Sequence, residues 1–116
     1  MSTRSAIGYK AADGKVVTIY CHYDGYPKHV GKILKEFHSS DEALHTLING
    51  SHIRNFDNDG TVVRFGDGTS MEVSDNEIEA IYGYDYLYLW SFAEQKWTCL
   101  SRDGFVKPDA LMEINL

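Results

Sequence analysis

The chain has little cysteine. Its 116 residues include only Cys21 and Cys99, which lie far apart and form no C-x-x-C pair. Small secreted domains usually depend on several disulfides, and structural zinc sites depend on closely spaced cysteines. No apolar run reaches the roughly 18 residues that span a bilayer, and no signal-peptide pattern is present. We therefore expect a reduced, cytoplasmic protein that is neither secreted nor inserted into a membrane.

Positive charge is also scarce. Lysine and arginine total 11 against 17 aspartates and glutamates, which gives a formal net charge of −6. Binding to the backbone of DNA or RNA needs clustered cations, so this composition disfavours it. A small anionic ligand needs only one or two local cations and backbone N–H donors. A partner protein with a basic patch would also be attracted, so both kinds of partner stay open.

The motifs of several enzyme classes are missing. The sequence holds no G-x-S-x-G, P-loop, G-x-G-x-x-G or H-E-x-x-H pattern. Cys21 and His22 have ligand chemistry, but neighbours on a strand point to opposite faces and do not easily bind one ion. The run Asp-Asn-Asp-Gly at 57–60 lacks the glycine and glutamate that complete a calcium loop, so a hairpin turn explains it better. We therefore predict no metal site and no cofactor.

The apolar pattern predicts one globular domain over residues 1–116. Residues 5–9 and 15–23 are typical of strands, with Asp13-Gly14 as the turn between them. Residues 27–38 and 41–49 carry apolar side chains at helical spacing, whereas two-residue alternation and turn sequences follow residue 50. The predicted fold is α+β: β-β-α-α followed by an antiparallel β-meander, with two helices packed on one sheet. Asp103-Gly104 is a further turn signal, and a short helix or strand could begin within 107–110.

The same periodicity gives a predicted core. Its members combine apolar side chains with inward-facing positions of the helices and the later strands. They are Val30, Leu34, Phe37, Leu44, Leu47, Leu87 and Leu89.

Aromatic residues are dense between positions 82 and 90. Rings occupy five even-numbered positions: Tyr82, Tyr84, Tyr86, Tyr88 and Trp90. On a single strand they would share one face, as a core face, a partner contact or a stacking surface for a ligand. Gly83 and Asp85 indicate a bend that would split the row. Because eight tyrosines, five phenylalanines and two tryptophans are many for so small a core, we predict a homo-oligomer, most simply a homodimer.

Reactive side chains are concentrated in residues 19–27, at the end of one predicted strand and in the turn after it. His22 could act as an acid or base whose tautomer is fixed by Asp24, as in a small hydrolase or nuclease. Alternatively, Asp24 forms a local turn and caps the helix that begins near Pro27. Upstream, Arg4 and the hydroxyls around it could bind a phosphate or carboxylate.

These features predict one polar concavity where the second strand runs into the first helix. The free N–H groups and positive dipole end of the helix would favour an anion there. A lysine in the first helical turn does not stabilise the helix, which suggests that it serves a ligand. The predicted site residues are Arg4, His22, Asp24, Tyr26 and Lys28. A small anionic, nucleotide-like ligand fits this set.

Two segments resemble a family of small proteins encoded mainly by bacteriophages. In that family an MSTRS-type strand is followed by a CH-x-DGYP-x-x-VGK-x-L segment, which here occupies residues 21–34. The resemblance covers roughly the first third of the chain and implies an origin more than an activity. It implies a non-enzymatic accessory protein that binds a host component in the host cytoplasm, to counter a host defence or redirect host machinery.

Overall fold

A computed structural model of the chain describes residues 2–102 and 111–116. Its elements, in chain order, are β1 (Ser5–Lys10), β2 (Val16–Cys21), one π-helical turn (Pro27–Gly31), α1 (Lys32–Phe37), α2 (Asp41–Ile48), β3 (Ile53–Phe56), β4 (Val62–Arg64), β5 (Glu72–Ser74), α3 (Glu77–Ile81), β6 (Tyr86–Ser91), β7 (Lys96–Arg102) and β8 (Leu111–Ile114). The predicted α+β fold, β-β-α-α followed by strands, is confirmed. The predicted turn at Asp103-Gly104 and the element predicted within 107–110 lie outside the described residues.

All of these strands belong to one sheet, in which the first hairpin occupies the centre. The order is β4-β3-β2-β1-β6-β7-β8, and β5 also pairs with β2. The hairpins β1–β2, β3–β4, β6–β7 and β7–β8 are antiparallel. Two pairs, β1 with β6 and β2 with β3, are parallel. Turn sequences predict which consecutive strands pair, but they do not indicate that the first hairpin inserts between two later ones.

The odd-numbered side chains of β1 and β2 face α1 and α2. Pro27 begins the helical turn, where its fixed φ suits a helix and its missing N–H costs nothing. The Ser40 side chain caps α2 by accepting a hydrogen bond from the backbone N–H of Ala43 at 3.0 Å. These helices pack on the inward strand residues to form the larger core, which includes Ile7, Val17, Ile19, Val30, Leu34, Leu44 and Leu47. Each such large side chain, fully buried, stabilises the fold by about 1.5–3 kcal/mol.

The core prediction is confirmed for all its members except one. The buried members are Val30, Leu34, Leu44, Leu47, Leu87 and Leu89. Phe37 was predicted wrongly, because its side chain is 48% exposed. It ends α1 and lies over Gly60 in the β3–β4 turn, where an added Cβ would approach the ring to 2.5 Å. The ring therefore covers a turn and does not enter the core.

An arginine joins β4 to the end of α2. The Arg64 guanidinium donates to the carbonyl oxygens of Thr46, Leu47 and Ser51 at 3.1, 2.8 and 2.6 Å. The last carbonyls of a helix have no partner within it, so a cation with several donors is well suited to this position. This anchor fixes the end of β4 and the residue that follows it, Phe65.

The row of rings between 82 and 90 is split. β6 begins at residue 86, and its three rings pack in the larger core: Tyr86, Tyr88 and Trp90. Gly83 has a φ of +89° and turns the chain before the strand. Tyr82 is therefore 76% exposed, whereas Tyr84 packs against the second core on the opposite face of the sheet. The rings of β6 therefore belong to the core, whereas Tyr84 lies on the other face of the sheet.

The opposite face of the sheet, to which the even-numbered side chains of β1 and β2 point, is covered in part by α3. Asn76 caps this helix by accepting from the N–H of Glu79 at 2.9 Å. Ala80 and Ile81 then pack on a smaller core that includes Ala6, Val16, Leu87 and Leu89. Beyond α3 this face carries an open concavity. Within the described ranges, no helix is long and apolar enough to cross a membrane.

Candidate functional site

The concavity has a volume of about 380 Å³, within the range of small-molecule sites. The sheet topology creates it. The starts of β1 and β3 lie beside the end of β2, the start of β6 lies beside the start of β1, and the end of β4 lies beside the start of β3. Residues at these strand ends and at the start of β5 line it: Arg4, Tyr20, His22, His52, Phe65, Glu72 and Tyr84. Non-local strand pairing therefore brings seven side chains from distant parts of the chain to one place.

Tyr20 lies at the centre of the aromatic contacts in this concavity. Its ring stacks on Tyr84 with centroids 5.4 Å apart and planes at 28°. It also meets the rings of His52 and His22 edge-on at 5.5 and 5.6 Å. Phe65 contacts His22 edge-on at 5.6 Å. Because such pairs contribute about 0.5–1.5 kcal/mol each beyond burial, the rings hold one another in place and form a prepared surface for a planar group.

A hydrogen bond orients the imidazole of His22. The Tyr20 hydroxyl and His22 Nδ1 are hydrogen-bonded. Burial raises the pKa of Tyr20, against which the charge of Arg4 acts to lower it, so the phenol keeps its proton at neutral pH. The other ring nitrogen of His22, Nε2, makes no hydrogen bond within the described part of the chain.

Arg4 and Glu72 bring opposite charges to the concavity. Arg4 is positioned at its backbone, whose N–H donates to Asp85 Oδ2 at 3.1 Å and whose carbonyl accepts from the Asp85 N–H at 2.9 Å. Burial raises the pKa of Tyr84, Glu72 raises it further, and Arg4 lowers it. Both charges therefore act on the same phenol. Neither Arg4 nor Glu72 forms an ion pair with any residue in the ranges 2–102 and 111–116.

The structure brings two of the five predicted site residues together. Arg4 and His22 line the same concavity, as the predicted hairpin requires. Lys28 does not join them. It lines a separate concavity formed by the start of the first helix and the residues Asn115 and Leu116. The helix packs on the face to which the odd-numbered side chains of β2 point, so its first turn lies on the side opposite His22. The predicted five-residue site is therefore not formed.

Asp24 and Tyr26 also lie outside the concavity. Asp24 occupies the left-handed region with φ of 55°. The residue before the helical turn is Tyr26, and no side chain caps that turn. No hydrogen bond within the described residues joins Asp24 to His22, so both roles predicted for the Asp24 carboxylate lack their contact. Tyr26 is 40% exposed, and its ring lies 6.3 Å from that of His29.

The two segments that carry the phage-family resemblance lie side by side. Ser5 pairs with Cys21 across the first hairpin, and the Gly25 N–H donates to the Thr3 carbonyl at 2.9 Å. A Cβ on Gly25 would lie 2.7 Å from Ser5 Oγ, which explains why glycine suits this position. The Tyr88 hydroxyl donates to the Gly25 carbonyl at 2.7 Å. These backbone and core contacts account for much of the motif, but they do not involve the side chains of Arg4 and His22.

Sequence reasoning missed most of the lining residues. Tyr20 had a usable signal, because it shares its strand parity with His22. Tyr84 had a weaker signal, because Gly83 indicates a bend that separates it from the rings of the strand. His52, Phe65 and Glu72 had none, since their positions follow from the pairing of β3 and β5 with β2 and of β4 with β3.

Neither cysteine is suited to act as a nucleophile. Both are free and buried, and burial raises the pKa of Cys21 and of Cys99 to about 12. A thiol with such a pKa is protonated at neutral pH and reacts slowly. Among the described residues, no group of three histidines, cysteines or carboxylates is placed to hold a metal ion.

Comparison of the chain with protein family models, with curated proteins and with solved structures finds no match.

Proposed function

We propose that the protein binds a small anionic ligand with a planar ring, such as a nucleotide, in the concavity that contains Arg4. The observation that carries this proposal is an arginine without an ion-pair partner in the described chain, beside a prepared cluster of rings. A guanidinium matches the geometry of a phosphate or carboxylate and binds it through two hydrogen bonds. Stacking of one base on an aromatic ring contributes about 1–3 kcal/mol. The Nε2 atom of His22 supplies a further hydrogen-bonding group.

In the cell, this binding would sequester the ligand. The protein then acts as a phage accessory protein in the host cytoplasm, where it withdraws a nucleotide signal from a host defence or redirects host machinery. The resemblance of residues 1–5 and 21–34 to phage-encoded proteins supports this setting, and the concavity supports the class of ligand. The net charge of −6 opposes binding to a long DNA or RNA backbone, for which a single arginine provides too little positive charge.

The alternative of a small hydrolase or nuclease has less support. It requires His22 and Asp24 to act as a pair, but no hydrogen bond joins them in the described residues. His22 Nδ1 is instead hydrogen-bonded to the Tyr20 hydroxyl. Asp24 also contributes nothing to the lining of the concavity.

Calorimetric titration with nucleoside monophosphates, cyclic mononucleotides and cyclic dinucleotides tests the proposal, with the corresponding nucleosides as controls. We expect phosphate-bearing ligands to bind and the nucleosides to bind at least tenfold more weakly, because one charge-assisted hydrogen bond contributes about 1.5–3 kcal/mol. Arg4→Gln should lower the affinity by at least about tenfold for the same reason. Tyr84→Ala should also weaken binding, because it removes one ring of the stack.

Lys28→Gln is the matched control, because it removes a cation from the other concavity. It should leave the affinity unchanged, and melting temperatures should confirm that every variant is folded. Binding that survives Arg4→Gln, or that is lost with Lys28→Gln, would place the ligand elsewhere. Failure of every member of the panel to bind would contradict the proposal.

A further inference from the structure

We infer that the ligand presents an N–H donor in addition to its anionic group, and that Glu72 selects it; this inference rests on the proposed function. In chemical terms, the preferred ligand is a nucleotide whose base carries an exocyclic amino group. The matching base with an oxo group at that position should be rejected.

The position of Glu72 supports this assignment. Glu72 begins β5 and pairs with Thr18 of β2. Thr18 lies two residues before Tyr20, so the side chains of Glu72 and Tyr20 lie on the same face of the sheet. The Glu72 carboxylate is close enough to Tyr84 to raise the pKa of that phenol. The Tyr84 ring of the stacked pair therefore lies within reach of the Glu72 charge.

Glu72 also differs from the acidic residues that follow it in the chain. Asp75 pairs with Lys15 at 3.5 Å, and Glu77 pairs with Lys10 at 3.1 Å. Glu72 makes no such pair within the described ranges, although Arg4 lines the same concavity. The two opposite charges lie more than 4.0 Å apart there, so each keeps its hydrogen-bonding capacity for a ligand.

This arrangement has a consequence for selectivity. An ionised carboxylate only accepts hydrogen bonds, so it repels a second phosphate or an oxo group. An exocyclic amine offers two N–H donors and is attracted. Because Glu72 is exposed, water can replace a missing donor, so the discrimination comes from the attraction of the amine and the repulsion of the oxo group.

Three pairs of monophosphates test the inference: AMP and IMP, GMP and XMP, CMP and UMP. In each pair an oxo group, with a proton on the adjacent ring nitrogen, replaces the exocyclic amine. We expect the amino member of at least one pair to bind at least about tenfold more tightly. Glu72→Gln should bring that ratio close to one, because an amide both donates and accepts. Arg4→Gln should weaken both members equally and leave the ratio intact. Glu42→Gln, on the exposed face of α2, is the matched control and should change neither affinity nor ratio.

The outcomes separate the two proposals. If the monophosphates bind in an Arg4-dependent way but without an amino preference, or with a preference that Glu72→Gln does not change, the role of Glu72 is overturned and the anion site stands. If none of the six binds to the native chain, the site for a nucleoside monophosphate is overturned and the selectivity with it. A change in the ratio with Glu42→Gln would mean that the effect reflects total charge, which also overturns the assignment.

Discussion

Replacement of Tyr88 by phenylalanine tests whether one buried hydroxyl holds the turn after β2. Tyr88 lies in the middle of β6 with 0% of its side chain exposed, and its hydroxyl donates to the Gly25 carbonyl at 2.7 Å. Burial raises the pKa of Tyr88, so the phenol keeps its proton at every pH at which the protein is studied. Phenylalanine retains the ring and its packing, so the substitution removes only the hydroxyl, with its bond to the Gly25 carbonyl and its contact with the Cys99 thiol.

The expected magnitude follows from the carbonyl that is left behind. A buried acceptor that loses its partner costs about 1–3 kcal/mol, whereas a hydrogen bond exchanged for water costs much less. Gly25 is itself buried, so the larger penalty applies. For a domain of this size each kcal/mol lowers the melting temperature by roughly 4 °C. We therefore expect Tyr88→Phe to lower the melting temperature by about 4–12 °C.

Urea denaturation followed by circular dichroism measures this change as a free energy of unfolding. Tyr82→Phe is the matched control, since that side chain is 76% exposed and its change should stay below about 0.5 kcal/mol. A loss under about 0.5 kcal/mol for Tyr88→Phe, at an unchanged denaturant slope, would refute the reasoning. It would mean that the Gly25 carbonyl does not depend on the hydroxyl.

Three further predictions concern the core, the pH dependence and the assembly. Leu34 is fully buried, so Leu34→Ala should cost about 2–5 kcal/mol in the same denaturation assay; a loss near zero would place it at the surface. Burial lowers the pKa of His38, although its hydrogen bond to the Gly60 carbonyl opposes this. The unfolded chain therefore binds more protons, and stability should fall as the pH drops from about 6.5 through the lower folded-state pKa. His38→Gln should flatten that slope, and an unchanged slope would assign it to another group. The homo-oligomer stays a prediction, and light scattering that gives the mass of one chain at high micromolar concentration would contradict it.

The sequence allowed the helices to be predicted closely because their signals are local. Helices were predicted over 27–38 and 41–49, and helical residues occupy Pro27–Phe37 and Asp41–Ile48. A proline fixes the first start, and apolar residues at helical spacing fix the length. The first hairpin was equally readable from Asp13-Gly14. Parallel pairing of β1 with β6 and of β2 with β3 depends on contacts between distant segments, for which one sequence has no local signal.

The site could be predicted only as far as the first hairpin extends. Arg4 and His22 were grouped correctly because antiparallel pairing places the start of β1 beside the end of β2. Lys28 was grouped with them wrongly. The pattern of apolar residues in β2 already indicates that Lys28 and His22 lie on opposite faces of the sheet. Val17 and Cys21 lie on the odd-numbered side of the strand, so the helix must cover that side and His22 must point away from it. Strand parity would thus have excluded Lys28 without a structure.

The segment 21–25 contains residues that stabilise the fold and a residue, His22, that lines the concavity. Cys21 points into the core beneath the helices, Gly25 makes room for a neighbouring strand, and both are needed before the chain can present His22. Substitutions at such positions lower stability and binding together, so a loss of binding there does not identify a ligand contact. The side chains of Arg4 and Glu72 have no ion-pair partner within the described chain, and their replacement should leave the free energy of unfolding nearly unchanged. These are therefore the positions at which a lost affinity is direct support for the proposed site.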